Sequence, residues 1–199
     1  MKANIINLEH RQDRLNEIKI ECKREGLEVI RHDGVNGQVA FFKEADNRRM
    51  RGHYGCLQSF RNVLKSVKGS ADYHLIMEDD VILTDGFVES VRLHMEEAPE
   101  DMKILYLGGH LHTLENATED YNELFYRAKN VLGLYCWIIK DEYVDNLLSV
   151  FESRLWKADI LAIEFQQLGG CYMTKKCHAW IRESYSDILH KFNNPNLKY

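Results

Sequence analysis

Residues 73 to 85 read Tyr-His-Leu-Ile-Met-Glu-Asp-Asp-Val-Ile-Leu-Thr-Asp. An apolar run (Leu75, Ile76, Met77) meets three consecutive carboxylates, Glu78, Asp79 and Asp80, and apolar residues resume at Val81, Ile82 and Leu83. A run this short, with so few polar residues, fits a strand buried on both faces of a sheet. Three acids at its end repel one another strongly at low dielectric unless a cation neutralises them. A divalent metal held by oxygen ligands is the simplest such cation. The alternative is that one acid caps the following helix and the others face water.

Upstream, residues 3 to 8 read as a strand and residues 10 to 25 as a charged helix with Leu15, Ile18 and Cys22 on one face. Gly26 sits where a left-handed cap is wanted. Leu27 to Ile30 makes a second strand that leaves through His32-Asp33-Gly34-Val35-Asn36-Gly37. This β-α-β unit has a Gly-rich exit, and sheets of this type bind ligands beyond the carboxyl ends of their strands. Neither a G-x-G-x-x-G fingerprint nor a P-loop occurs. Residues 38 to 51 read as irregular and end in Arg48, Arg49 and Arg51, a solvated loop or a clamp on substrate phosphates. From Gly52 a helix carries Leu57, Phe60, Val63, Leu64 and Val67 as one apolar stripe.

Downstream, Phe87, Val88, Val91 and Met95 mark another amphipathic helix, and 103 to 107 a strand that stops at Gly108-Gly109. Residues 110 to 130 are polar and poorly periodic, which predicts a loop at the active face. There His110 and His112 read as surface histidines or as a metal pair. A strand follows over 133 to 139, then a helix capped by Asp141 with Tyr143, Val144, Leu147, Leu148 and Phe151 at helical spacing. Trp156-Lys157-Ala158-Asp159 precedes a shorter helix to Leu168, and a last strand-like piece, Cys177 to Ile181, leads to Asp187. No repeat or linker interrupts the chain, so one domain is expected over 1–190, with a loose tail over 191–199.

The bulk numbers agree with an α/β domain: 199 residues, 45% hydrophobic and 29% charged. A net charge of −5 argues against nucleic-acid binding. Five dispersed cysteines without a C-x-x-C pair read as reduced thiols. With no long apolar segment and a strand at the very start, the expectation is a cytoplasmic protein without a transmembrane segment.

A buried strand ending in acids after β-α-β and a helix resembles the GT-A type of nucleotide-sugar transferase, whose Asp-x-Asp-like motif grips a metal on the donor diphosphate. On an extended segment, residues i and i+2 point the same way, so Glu78 and Asp80 are expected to share a ligand site while Asp79 faces elsewhere. Four stretches then resemble glycosyltransferase family 25, the lipopolysaccharide and procollagen galactosyltransferase-like group. Ile5-Ile6-Asn7-Leu8 with Arg11 and Arg14 is similar to its opening "INLxxRxDR", and Gly34-Val35-Asn36-Gly37 to its "vDG" turn. Gly52 to Ser59 is similar to "GExGCxxSH", and Leu75 to Val81 to "LIxEDDV". His53 stands where the family usually has Glu, and Phe60 where it usually has His.

The resemblance implies a GT-A fold with a Rossmann-like, mostly parallel central sheet, a UDP-sugar donor and Mn²⁺ or Mg²⁺. It puts Glu78 and Asp80, with His178 as a third ligand, on the metal. It puts Asn7, Leu8, Arg11, Arg14, Asn36, Gly37, Asp79, Gly108 and Gly109 on the donor side. The family's inverting outcome needs a general base at the acceptor hydroxyl. Asp159, in a stretch similar to the late "vDxxL" segment, is the choice, with Glu164 and Asp187 in reserve. The implied partners are the UDP-sugar and a saccharide or glycan acceptor, with at most peripheral membrane association through that acceptor. Two rivals stay open: a metal-dependent phosphoesterase or nuclease, and an inactive nucleotide-sugar-binding module.

Overall fold

Tyr73–Glu78 (β3) pairs in parallel with Lys2–Asn7 (β1), which pairs in parallel on its other side with Glu28–Asp33 (β2). The computed structural model describes residues 1–40, 47–109, 117–188 and 191–193. Ile6 lies opposite Glu78 and Asn7 opposite Asp33, so the three strands end at one rim. The crossover from β1 to β2 runs through Gln12–Arg24 (α1), which buries Leu15, Ile18 and Cys22 as its spacing predicts. Gly26, at φ 70°, makes the left-handed exit.

Beyond β3 the sheet continues with Ile104–Tyr106 (β5), Thr118–Asp120 (β6), Phe125–Ala128 (β7), Cys136–Lys140 (β8) and Cys171–Thr174 (β9), in the order β2-β1-β3-β8-β5-β9-β7-β6. It is mixed. The β5–β9 pair is parallel like the site-bearing end, while β8 runs antiparallel to both of its neighbours and β7 to both of its own. Helices cover both faces. Arg48–Val67 (α2), Val144–Glu152 (α4) and Ala158–Gln166 (α5) share one core with Ile76, Trp137 and Phe151. Phe87–Glu96 (α3) and α1 enclose another around Ile5, Met77 and Val91. Each such fully buried side chain contributes about 1.5–3 kcal/mol relative to exposure. Val81–Leu83 (β4) pairs antiparallel with Ala179–Ile181 (β10). Among the described residues no helix is long and apolar enough to cross a membrane.

Four expectations change. Arg48, Arg49 and Arg51 lie in the first turns of α2, because Asn47 caps the helix by accepting from the Met50 N–H at 3.0 Å. Of the loop expected at 110–130, residues 110–116, with His110 and His112, lie outside the described residues. The rest contains the β6–β7 hairpin on the sheet edge far from β1. There Asn122 Oδ1 accepts from the Leu124 and Phe125 N–H groups, a local turn that periodicity does not reveal. Strand β9 was not expected, being four residues long and directly after Gly169-Gly170. Asp141 does not cap α4 but accepts from the Gly69 N–H (2.7 Å) and sits 2.7 Å from His74 Nε2. The tail expected from 191 is described only in Lys191–Asn193 (β12), which pairs with Ser184–Ser186 (β11).

Candidate active site

Strand β3 ends at Glu78, and Asp79 and Asp80 form the tight turn into β4. The turn breaks the expected alternation, since Asp79 and Asp80 now meet the same cation. Arg14 Nη1 lies 3.0 Å from Asp79 Oδ1 and 3.2 Å from Asp80 Oδ2. Arg14 Nη2 donates to Tyr185 O at 2.8 Å. Asn7 Nδ2 donates to Asp79 Oδ2 at 2.7 Å and to Arg11 O at 2.9 Å. The side chain of Asn7 is thereby used internally and is buried.

The acids open onto a cavity of about 120 Å³. Its walls include Leu8, the Asn36–Gly37 turn with Gln38, and Gly52 and Cys56 of α2. Ser186, Asp187 and Ile188 close it from the C-terminal side. Two glycines let the turn and the helix meet. A Cβ on Gly37 would fall 1.8 Å from Arg51 O, and one on Gly55 2.5 Å from Val35 O. Ser59 Oγ fixes the contact, donating to Gly55 O and accepting from the Val35 N–H, each at 2.8 Å.

The cavity is electronegative. Burial, then Asp80, Asp159 and Asp79, hold the Glu78 carboxyl well above the usual carboxylate range, and Arg14 offsets this only in part. Burial pushes Asp80 up to about 6 and raises Asp79. Asp159 stands in the first turn of α5, accepts from the Gly133 N–H, and is likewise raised by burial. The Cys56 thiol is raised by burial and then by Glu78, Asp159 and Asp80, so Asp159 and the acid turn act on one point.

The family pattern of glycosyltransferase family 25 (LPS biosynthesis protein) matches residues 1–162. The chain belongs to glycosyltransferase family 25. It is a glycosyltransferase, and its fold is α/β, a mixed sheet with helices on both faces. Similar solved structures include the galactosyltransferase LgtC in complex with donor and acceptor sugar analogs. That match has 8% identity, covers 87% of this chain and 73% of that one, and has a TM-score of 0.49. A glycosyltransferase involved in glycosylating the major capsid of PBCV-1 matches at 7% identity over 76% of this chain, with a TM-score of 0.44; this chain spans 64% of its length. A Drosophila β-1,4-galactosyltransferase complex with manganese, UDP-Gal and xylobiose matches at 14% identity, covering 73% and 51% of the two chains, with a TM-score of 0.35. No curated protein sequence matches.

Within this family 25 chain, the matched region holds the acid turn and Asp159 but not Ser186, Asp187 and Ile188. That last segment is tied down by Arg11, whose Nη1 lies 2.6 Å from Asp187 Oδ2 and 3.2 Å from Tyr185 O. Asp187 therefore lines the cavity as an ion-pair partner of Arg11. Among the candidate positions, Leu8, Arg14, Asn36, Gly37, Glu78, Asp79, Asp80 and Asp187 meet at the cavity.

Others do not join them. Gly108 is buried against Ala179 O and the Tyr135 ring, and Gly109 against Val131. Glu164 is exposed on α5 and paired with Arg154. His178 is fully buried and packs edge-on to His94 (ring centroids 4.8 Å) and Phe87 (6.3 Å), outside the cavity wall. The expected third ligand is thus a core histidine, held neutral with its pKa lowered to about 4 by burial, then by His94 and Lys176. Gln38, Ser186 and Ile188 escaped the sequence reading. Nothing local marks them, because folding brings them to the rim.

Among the described residues no three His, Cys, Asp or Glu side chains enclose a metal ion. The donor set still fits a hard divalent cation. Asp80 Oδ1 is buried without a hydrogen-bond partner, beside the Glu78 carboxyl. Two protein oxygens, with phosphate and water oxygens completing the shell, are the usual way a Mg²⁺-type ion is held with a substrate phosphate.

Proposed function

We propose that this glycosyltransferase moves a hexose, galactose by the habit of the family it resembles, from a UDP-sugar to a hydroxyl of a saccharide or glycan acceptor with inversion. One observation carries the reading. Glu78, Asp79 and Asp80 follow one another at the end of the central strand β3 and line a cavity, and among the described residues the ion pairs made to them are those of Arg14 with Asp79 and Asp80. The uncompensated charge suits a doubly charged ion between the acids and a diphosphate.

Glu78 and Asp80 would hold Mn²⁺ or Mg²⁺. When bound, the ion supplies positive charge against the negative charge that builds on the leaving diphosphate. Leu8 and the Asn36–Gly37 turn line the cavity where the nucleotide would lie. Asp159 removes the proton from the acceptor hydroxyl. That oxygen then bonds to the anomeric carbon as the bond to the diphosphate breaks, giving the glycoside and UDP, with the proton on Asp159. The raised pKa of Asp159 favours keeping that proton once taken. All five cysteines are free, which supports work in the reducing cytoplasm, on a lipopolysaccharide-type or other polysaccharide acceptor. Any membrane contact would then be peripheral and made through that acceptor.

Thermal unfolding with UDP, with and without Mn²⁺, tests the donor half. At a hundredfold excess over Kd, UDP with Mn²⁺ should add about 2.7 kcal/mol of stability. A panel of nucleotide sugars then reads metal-dependent donor hydrolysis without knowledge of the acceptor. Indifference to UDP in both conditions, with no nucleotide sugar hydrolysed, would overturn the proposal.

A further inference from the structure

Two elements bring three basic groups into one neighbourhood at the start of α5. Arg49 and His53 are four residues apart in α2 and so share a helix face. Lys157 holds the cap position of α5, two residues before Asp159. His53 is half-buried, and its Nε2 is buried with no hydrogen-bond partner. Arg49 is exposed, and among the described residues neither it nor Lys157 forms an ion pair with a carboxylate within 4.0 Å. Lys157 also acts on Asp159, favouring its charged form against the burial that raises it.

The groups are close enough to act on one another. After burial, Lys157 and then Arg49 are what lower the His53 pKa, to about 4. Cations placed around an unsatisfied ring nitrogen repel in the free protein and gain when an anion arrives. The N-terminus of α5 adds partial positive charge at the same place.

We infer that Arg49, His53 and Lys157 form a subsite for an acidic group, phosphate or carboxylate, on the acceptor sugar. The inference rests on the transferase reading in one respect: Asp159 marks where the acceptor hydroxyl sits. A negative group bound here holds the acceptor beside that carboxylate, while the diphosphate is held separately at the acid turn. The acceptors selected are acidic saccharides, such as a sugar phosphate or a uronic acid, over their neutral counterparts. His53, standing where the family usually has Glu, replaces an acid that would repel such a group.

The test is ring-proton NMR of His53, assigned with His53→Gln, on the full chain with saturating UDP and Mg²⁺ so that the diphosphate site is filled. Glucose 6-phosphate, glucuronate and glucose are titrated in turn. An acidic sugar should shift the His53 signal at millimolar concentration while glucose does not. The phosphate and carboxylate arms tell which acid is preferred. Arg49→Ala and Lys157→Ala should each weaken that titration about tenfold, the loss of one charge-assisted contact. Circular dichroism and unfolding midpoints confirm that the variants are folded.

No shift with either acid, an equal shift with glucose, or undiminished titration in both variants would overturn the subsite. Failure of UDP to bind with metal instead removes the transferase reading, and an acid-specific His53 shift would then still establish the anion site.

Discussion

Arg14 Nη1 stands 3.0 Å from Asp79 Oδ1, with 9% and 8% of the two side chains exposed. Such a pair cannot be removed from one side cheaply. Deleting one partner of a buried ion pair leaves a charge without compensation, at a cost of about 3–5 kcal/mol. Arg14→Met should lose about that much in urea unfolding. Adding Asp79→Asn should restore part of it, a coupling that a double-mutant cycle measures. A loss below about 1 kcal/mol in Arg14→Met would mean the pair does not stabilise the fold.

The cavity also depends on backbone contact between the 34–37 turn and α2. Gly37→Ala would drive a methyl to 1.8 Å from Arg51 O, and backbone on both sides has no rotamer to yield. Overpacking costs about 1–3 kcal/mol even where side chains can move. This variant should sit at or beyond that range in urea unfolding. Gly69→Ala meets nothing within 4 Å but has φ 75°, so it should cost about 1 kcal/mol, from backbone strain alone. Equal losses would show that the close approach is not what glycine serves at 37.

His178 gives the chain an acid-sensitive point. Its neutral ring is favoured in the folded state, where the pKa is about 4 against 6.5 for the free side chain. The sign follows from proton uptake. Between those values the unfolded chain binds the proton and the folded chain does not, so stability is full above pH 6.5 and falls as pH drops toward 4. The amount is about 3 kcal/mol. His178→Phe should flatten that part of the stability–pH curve while leaving Mn²⁺-dependent UDP binding intact. Loss of the metal dependence would return His178 to the ligand set.

How much of this was legible beforehand depends on whether the cause was local. The acid-ended strand, the α1 stripe and the Gly26 cap are written in consecutive residues, and each forms where its pattern predicts. The pairing of Arg14 with Asp79 was not, because 65 residues separate them and an arginine near acids reads equally well as a phosphate contact. Strand β9 hides for another reason. Four buried residues after two glycines carry no period, and only their place beside β5 makes them a strand. His178 misled through chemistry: a histidine near the end of a chain offers the same sequence signal whether it binds metal or fills a core.

Two carboxylates on α5 have different settings within one helix. Asp159 is half-buried and acts on Glu78 and Cys56, whereas Glu164 is exposed and paired with Arg154. If Asp159 takes the acceptor proton, Asp159→Asn keeps the shape but loses the base. Transfer should then fall by about 10²–10⁴-fold in kcat. UDP binding with Mn²⁺ should stay within about threefold, because the acid turn is untouched. Asp80→Asn should do the reverse, abolishing metal-dependent UDP binding and transfer together. Glu164→Gln should change neither, since an exposed ion pair contributes about 0–1 kcal/mol. Kinetics on an acceptor found by screening, alongside calorimetric UDP titrations, read all three variants. Transfer by Asp159→Asn at near the parent rate would move the base elsewhere, and Asp187 at the cavity wall would be the next carboxylate to replace.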